Sequence, residues 1–234
     1  MEFVVDEADV EPVRAEGDTA SVRVTFGASN GSERLEQRVI RYGAGRSRER
    51  TLDGRHEVLF VVTGRGELEL GGERHVLEPN MGVFIASGET YAVDNPGPSE
   101  LLAVSVLTAT DRARDEGQRK VTVRFDDQPE LDASSERTFR YLVNEDAGCL
   151  DVTQFVGIVQ PSKAPIHSHS YDELGYVVEG EGIAHVGGHS TPLRAGSCFH
   201  LPPEESHCIE NSGTTVMRIL GVFHPSGSPA SRNK

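Results

Sequence analysis

The sequence predicts an all-β protein built as two tandem jelly-roll barrels, that is, two double-stranded β-helices. Three observations predict it. Short runs rich in β-branched and aromatic residues recur along the chain. Clusters of Gly, Pro and Asn separate them. The second half repeats the first. Long helical periodicities are missing, 25 Gly and 12 Pro are spread along the 234 residues, and Trp is absent. Many short strands with regular turns suit sandwiches and barrels.

In chain order, Glu57–Thr63, Glu67–Leu70, Val83–Ala86 and Glu100–Leu107 read as strands of the first half. Val121–Phe125, Val152–Val159, Leu174–Glu179 and Val216–Phe223 read as strands of the second. Turns fall at Thr63-Gly64, Gly71-Gly72, Asn95-Pro96-Gly97-Pro98, Asn144 to Gly148 and Asn211-Ser212-Gly213. Thr108–Lys120 carries charges of both signs and few apolar residues, so it reads as a linker with a short exposed helix. The expected domains are 1–112 and 113–234, each large enough to bury a core without disulfides or a structural metal. The acidic segment Glu2–Asp18 is expected to add an edge strand within or between chains. The segment from Pro225 onward, rich in Pro, Gly and Ser, is expected to be mobile.

The repeat is explicit. Aligning Glu57 with Glu173 sets an offset of 173 − 57 = 116. Gly64 then meets Gly180, Gly66 meets Gly182, and Gly71-Gly72 meets Gly187-Gly188. Leu77 meets Leu193, Asn95 meets Asn211 and Gly97 meets Gly213, all without a gap.

Four residues of the second half carry the chemistry: His167, His169, Glu173 and His207. Three imidazoles and one carboxylate suit a divalent first-row metal, Fe, Mn, Ni, Zn or Cu, with iron first among them. Four protein ligands leave two positions open on an octahedral ion, which is the mark of a catalytic metal. His167, His169, Tyr171 and Glu173 share parity, so an extended chain projects them to one face. His207 must arrive from a distant strand. Asn211 sits at a turn signal and reads as structural. Tyr171 is placed to line the pocket and donate to a substrate oxygen, and Glu173 to serve as ligand and base.

The spacing resembles that of the cupin family. His167-x-His169, Glu173 and Gly180 fall at the positions of its first motif, and Gly196, Pro202, His207 and Asn211 at those of its second. Two positions depart: Pro161 and Glu204 stand where the motifs have Gly. Neither is a ligand position, so only the local turn shape is put in doubt. The resemblance, with the repeat, implies a bicupin with one metal site in its C-terminal half. Cupins with such ligands include dioxygenases, and the same scaffold hosts isomerases, epimerases and decarboxylases.

The repeat fails at the ligands. The offset of 116 sets Thr51 opposite His167, Asp53 opposite His169 and Tyr91 opposite His207, and only Glu57 keeps its type. The first half is therefore expected to hold no tight transition metal and to serve structure, pairing or ligand shaping. His56 adjoins Glu57 and should point to the opposite face.

A formal net charge of −14 argues against nucleic acid and anionic membrane surfaces. The N-terminus has no signal-peptide pattern, no run is long enough to span a bilayer, and Cys149, Cys198 and Cys208 show no paired spacing. The expectation is a cytoplasmic protein with reduced thiols, acting on a small-molecule substrate, as a monomer built like an internal dimer or as a homodimer. Three functions remain at this point. The first is a metal-dependent oxygenase on a small chelating molecule. The second is an isomerase or decarboxylase/lyase using the metal as a Lewis acid. The third is a non-catalytic bicupin that binds a sugar or metabolite.

Overall fold

The computed structural model describes residues 2–110 and 119–230. The expected linker helix and the boundary at 112/113 lie outside the described residues. Each half is a jelly roll of two antiparallel sheets. In the first half the large sheet runs, neighbour to neighbour, Thr122–Arg124, Met81–Ile85, Arg55–Thr63, Leu101–Ala109, Leu35–Tyr42 and Ala20–Phe26. Its small sheet holds Gly45–Arg46, Arg50–Thr51, Thr90–Asn95, Gly66–Leu70 and Glu73–Leu77. In the second half the large sheet runs Val4–Asp6, Ser197–Leu201, Asp172–Glu179, Met217–His224, Thr153–Val159, Arg137–Val143 and Leu131–Ser134. Its small sheet holds Ser162–Lys163, His207–Asn211, Glu181–Val186 and His189–Arg194. Among the described residues no helix is long and apolar enough to cross a membrane.

The halves exchange their first strands. Val4–Asp6 pairs with Ser197–Leu201 of the second half, and Thr122–Arg124 pairs with Met81–Ile85 of the first. The expected edge strand within Glu2–Asp18 thus forms inside the chain. Each exchanged strand covers a sheet edge that would otherwise present unpaired backbone groups.

The large sheets pack against each other. Val58, Phe60 and Val104 of one meet Leu174, Tyr176 and Leu220 of the other in a single apolar cluster. The alternate residues turn into their own barrels: Leu59 and Val61 into the first, Val177 into the second. The central strands are therefore buried on both faces, which is why they read as nearly continuous apolar runs. Cross-half polar contacts sit within this layer. Ser32 donates to Asp172 at 3.0 Å and His56 Nε2 stands 3.3 Å from Asp151, while His200 of the second half itself lies, through Nε2, 2.6 Å from the Asp172 carboxylate.

The two halves solve the same local problems alike. Gly64 and Gly180 hold φ of 85° and 90°, and a Cβ there would stand 2.5 Å from Glu100 O or 2.8 Å from Met217 Cα. Buried Asn95 donates to Tyr42 O and Ser99 O and accepts from Gly97 N–H; buried Asn211 does the same with Val159 O, Thr215 O and Gly213. Each Asn thus pins a turn to a large-sheet strand. The segment from Pro225, expected to be mobile, makes hydrogen bonds: Ser226 donates to Leu150 O at 2.7 Å and Gly227 N–H to Thr153 Oγ1 at 3.0 Å.

Asn95→Ala and Asn211→Ala are each expected to lower stability by about 1–3 kcal/mol, because each strands buried backbone groups without a partner. Urea unfolding of the two variants checks this; a variant as stable as the parent would refute the pinning role.

Candidate metal centre

The two motifs meet through the backbone. His167 N–H donates to His207 O at 3.0 Å and His207 N–H to His167 O at 2.8 Å. Glu204 N–H donates to His169 O at 2.7 Å. Glu204 holds φ of 61°, the left-handed region that a glycine adopts without strain, so the turn keeps its shape despite the missing Gly. Glu173 lies in Asp172–Glu179, beside Leu201 and Phe223 of its neighbouring strands. His167, His169, Tyr171, Glu173 and His207 all line one cavity, of about 100 Å³.

The three imidazoles are oriented alike. Nδ1 of His167 lies 3.1 Å from Pro165 O, that of His169 2.8 Å from Tyr171 O, and that of His207 2.8 Å from Glu205 O. A carbonyl only accepts, so each Nδ1 carries a proton and donates, and in the neutral ring that leaves Nε2 with its lone pair. This is the outer arrangement that metal-binding imidazoles require. The His207 ring is 4.7 Å from that of His167 and 4.5 Å from that of His169, centroid to centroid. Burial, and then the neighbouring His169, push the His207 pKa down to about 4, so its ring is neutral at physiological pH.

His169 Nε2 decides the character of the site. It is buried without a hydrogen-bond partner, and it stands 3.2 Å from Glu173 Oε2. In the neutral ring, with Nδ1–H committed to Tyr171 O, a lone pair would face a carboxylate. Such a pair is stable only with a cation or a proton between or beside the two atoms. Among the described residues, however, no three His, Cys, Asp or Glu side chains are gathered into a ready metal-holding group. The donors fit a divalent metal in chemistry and in ring orientation, and binding would have to draw them closer together.

Aromatic rings form much of the wall. Tyr171 is stacked between His169, at 3.8 Å, and Phe223, at 4.3 Å. Phe139, Phe155 and Phe199 also line the cavity. Gly157, Gly175 and Gly221 stand where the first half has Ile40, Leu59 and Ser105, and the last two make room for rings. A Cβ on Gly175 would overlap the Phe199 ring, and one on Gly221 the Phe155 ring. Sequence reasoning missed most of the other lining residues, and Arg137 and Pro229 are the two that lie farthest from its argument. Neither lies in a motif, and only the fold brings them to the site. Asn211 stands apart in its structural role, and His56 turns to the layer between the halves.

The corresponding region of the first half is filled. Tyr91 donates to Glu57 Oε2 at 2.8 Å, and Ser105 donates to Glu57 Oε1. Thr51 and Asp53 are exposed. Strand pairing corrects the sequence alignment by one residue. Arg50 pairs with Tyr91 as His167 bridges His207, so Arg50, not Thr51, is the counterpart of His167. The offset is 167 − 50 = 117 there and returns to 116 at Glu57, because the first half has one more residue between the two points. Arg50 donates to Asp18 at 2.7 Å. Burial alone would lower its pKa, yet Tyr42, Tyr91, Asp18 and Glu57 raise it above the ordinary guanidinium value. A built-in cation thus occupies this region of the first half.

The cupin domain model matches residues 38–107 and 155–223. The chain belongs to the cupin family. This cupin is 37% identical over 63 residues to an oxalate-binding protein of Thermotoga maritima, a stretch covering 26% of this chain and 52% of that protein. The chain spans about half the length of the curated relatives it matches. Among solved structures, it is similar to a putative glyoxylate-induced protein of Pseudomonas aeruginosa, with a TM-score of 0.79, 19% identity and coverage of 95% of this chain and 89% of that one. A deletion mutant of the Bacillus subtilis oxalate decarboxylase aligns with a TM-score of 0.76 and 13% identity, over 97% of this cupin and 78% of that chain. At such identities these structures speak to the fold alone.

Tyr91→Phe leaves Glu57 buried with one donor fewer, and is expected to destabilise the protein by about 1–3 kcal/mol. Thermal unfolding checks it; an unchanged transition would show that the Tyr91–Glu57 contact does not hold the first half together.

Proposed function

We propose that this cupin is a metal-dependent enzyme acting on a small organic acid at its C-terminal site. His167, His169 and His207, through Nε2, and Glu173, through its carboxylate, are the metal ligands in this reading. The observation that carries it is the buried, unpartnered His169 Nε2 facing Glu173 at 3.2 Å. A bound divalent metal would supply Lewis acidity to a substrate oxygen. The chain's own groups do the rest. The backbone carbonyls of Pro165, Tyr171 and Glu205 hold the imidazoles in the ligating tautomer. Glu173 offsets the charge of the ion and is placed to accept a proton. Tyr171, fixed between two rings, presents its hydroxyl toward a bound oxygen. Phe139, Phe155 and Phe199 keep water away and strengthen each polar contact made there.

The acid class draws support from the oxalate-binding relative and the oxalate decarboxylase fold neighbour. It favours lyase-type Lewis-acid chemistry, with Mn as suitable as Fe. Oxygenase chemistry is the second reading, because a four-donor set leaves two positions on a six-coordinate ion. The first half, in this proposal, holds no transition metal and supports the second. The three buried free thiols, Cys149, Cys198 and Cys208, suit a reducing cytoplasm.

Elemental analysis of metal-reconstituted protein is expected to give about one divalent ion per chain, in keeping with a single four-donor site. His169→Ala should lose most of that metal while keeping the fold, and Asp53→Ala should lose none. Full metal in His169→Ala would overturn the ligand assignment, and a second ion lost on Asp53→Ala would overturn the role given to the first half. For the reaction class, oxalate turnover that persists without O2 is the expected result. Turnover that stops when O2 is removed would move the oxygenase reading ahead.

A further inference from the structure

Resting on the reading of His167, His169, Glu173 and His207 as one ligand-binding centre, we propose that Arg137 anchors a carboxylate of the bound molecule. The cavity would then select small acids over their neutral analogues. Arg137 opens the strand Arg137–Val143 and pairs with Val159; both residues line the cavity. Its guanidinium donates to the carbonyl of Ile209, two residues beyond His207 on the strand His207–Asn211. Two residues of strand span roughly 7 Å, so the backbone fixes a permanent cation close to the ligand cluster.

The surroundings favour an anion there. Among the described lining residues Arg137 is the one Lys or Arg, and its neighbours in the wall include Phe139, Phe155, Phe199, Leu201 and Ile219. A charge-assisted hydrogen bond made against apolar walls is stronger than one made in water. A guanidinium offers five donors in a planar fork that matches a carboxylate. The chain as a whole carries −14, so an anionic ligand needs a local positive site to enter. The cavity, of about 100 Å³, is the size of a small molecule, and Arg137 and the three imidazoles line it together.

The repeat separates this role from a structural one. Arg137 pairs with Val159 as Ala20 pairs with Tyr42, so Ala20 is its counterpart in the first half. Ala20 is packed in that barrel's apolar core. The jelly roll therefore forms without an arginine at this position, and the cation belongs to the half that has a cavity.

The test is calorimetric titration of wild-type protein and Arg137→Gln with oxalate, malonate and the neutral malonamide, with metal content measured on the same samples. Wild-type protein is expected to bind at least one of the acids at least about tenfold more tightly than malonamide. Arg137→Gln should weaken that acid about tenfold or more, leaving malonamide affinity and metal content unchanged. Equal acid affinity in the two proteins would overturn the inference. So would a wild-type protein that binds neither acid, or binds both no better than the diamide. Should the variant fail to fold, the acid-to-amide comparison in wild-type protein decides alone. Absence of metal in wild-type protein would sink the metal reading only, since the same affinity comparisons still test Arg137.

Discussion

The packing of the two large sheets against each other governs the rest of the molecule. It buries Arg55–Thr63 and Asp172–Glu179 on both faces, so no residue in the middle of either strand is free to face water. One parity must serve the layer between the halves and the other must serve a barrel interior. Leu174 and Tyr176 take the first role, and Glu173, Gly175 and Val177 the second. Glu173 is inside the barrel because its neighbours are committed elsewhere. A one-residue slip would put the carboxylate into the apolar layer and Leu174 into the cavity. The strand exchange secures this register, since Val4–Asp6 and Thr122–Arg124 each tie one half to the edge of the other.

A carboxylate placed inside a barrel must then be satisfied, and the two halves do so differently. In the first, Tyr91 and Ser105 donate to Glu57, and the Arg50 cation sits in the same electrostatic neighbourhood. Apolar Ile40, Leu59, Leu68 and Val93 fill the remaining space. In the second, the counterpart of Arg50 is His167, that of Tyr91 is His207, and that of Ser105 is Gly221, so Glu173 loses those donors and gains imidazoles. Neutral imidazoles whose Nδ1–H groups are occupied bring lone pairs, not positive charge. In the proposed reading the second half takes up a proton or an outside cation between these donors, where Glu57 of the first has its own protein donors. That contrast, within one chain and one fold, is the strongest physical reason to read the second site as one that takes an ion.

Much of this was legible in the sequence because it is periodic or local. The parity of His167, His169, Tyr171 and Glu173, the turn glycines and the paired Asn95 and Asn211 follow from rules that span a few residues. The repeat at 116 was legible because Glu57 and all that follows in its half keep one spacing. What the sequence hid depends on pairing across distance. The Arg50–His167 correspondence required the strand register, since a one-residue difference before Glu57 shifts the offset to 117. Arg137 and Pro229 reach the cavity only because the Arg137–Val143 strand and the C-terminal segment fold beside it. The exchanged edge strands are too short to carry a periodic signal, and which half receives them is a property of the assembled sheets.

The shape of the cavity follows from a trade between glycine and aromatic side chains. Leu59 and Ile40 project into the first barrel and close it. Gly175, Gly157 and Gly221 remove the corresponding side chains, yet the space is not left open, because Phe199 and Phe155 lie over the bare backbone that results. The rings occupy the freed volume as flat walls, and what remains is small. Among the described residues the charged or metal-ligating groups of the wall are the imidazoles and Glu173 on one side and the Arg137 guanidinium held at Ile209 O on the other, with the Thr138 and Tyr171 hydroxyl-bearing side chains also in the lining. A molecule that enters such a space is confined by ring faces and oriented by its charged or oxygen-bearing ends. A side chain on Gly175 or Gly221 would move a phenyl ring before it moved Glu173. Selectivity for size and selectivity for charge are thus set by different residues of the same wall, and each can change without disturbing the His167–His207 backbone pair that brings the two motifs together.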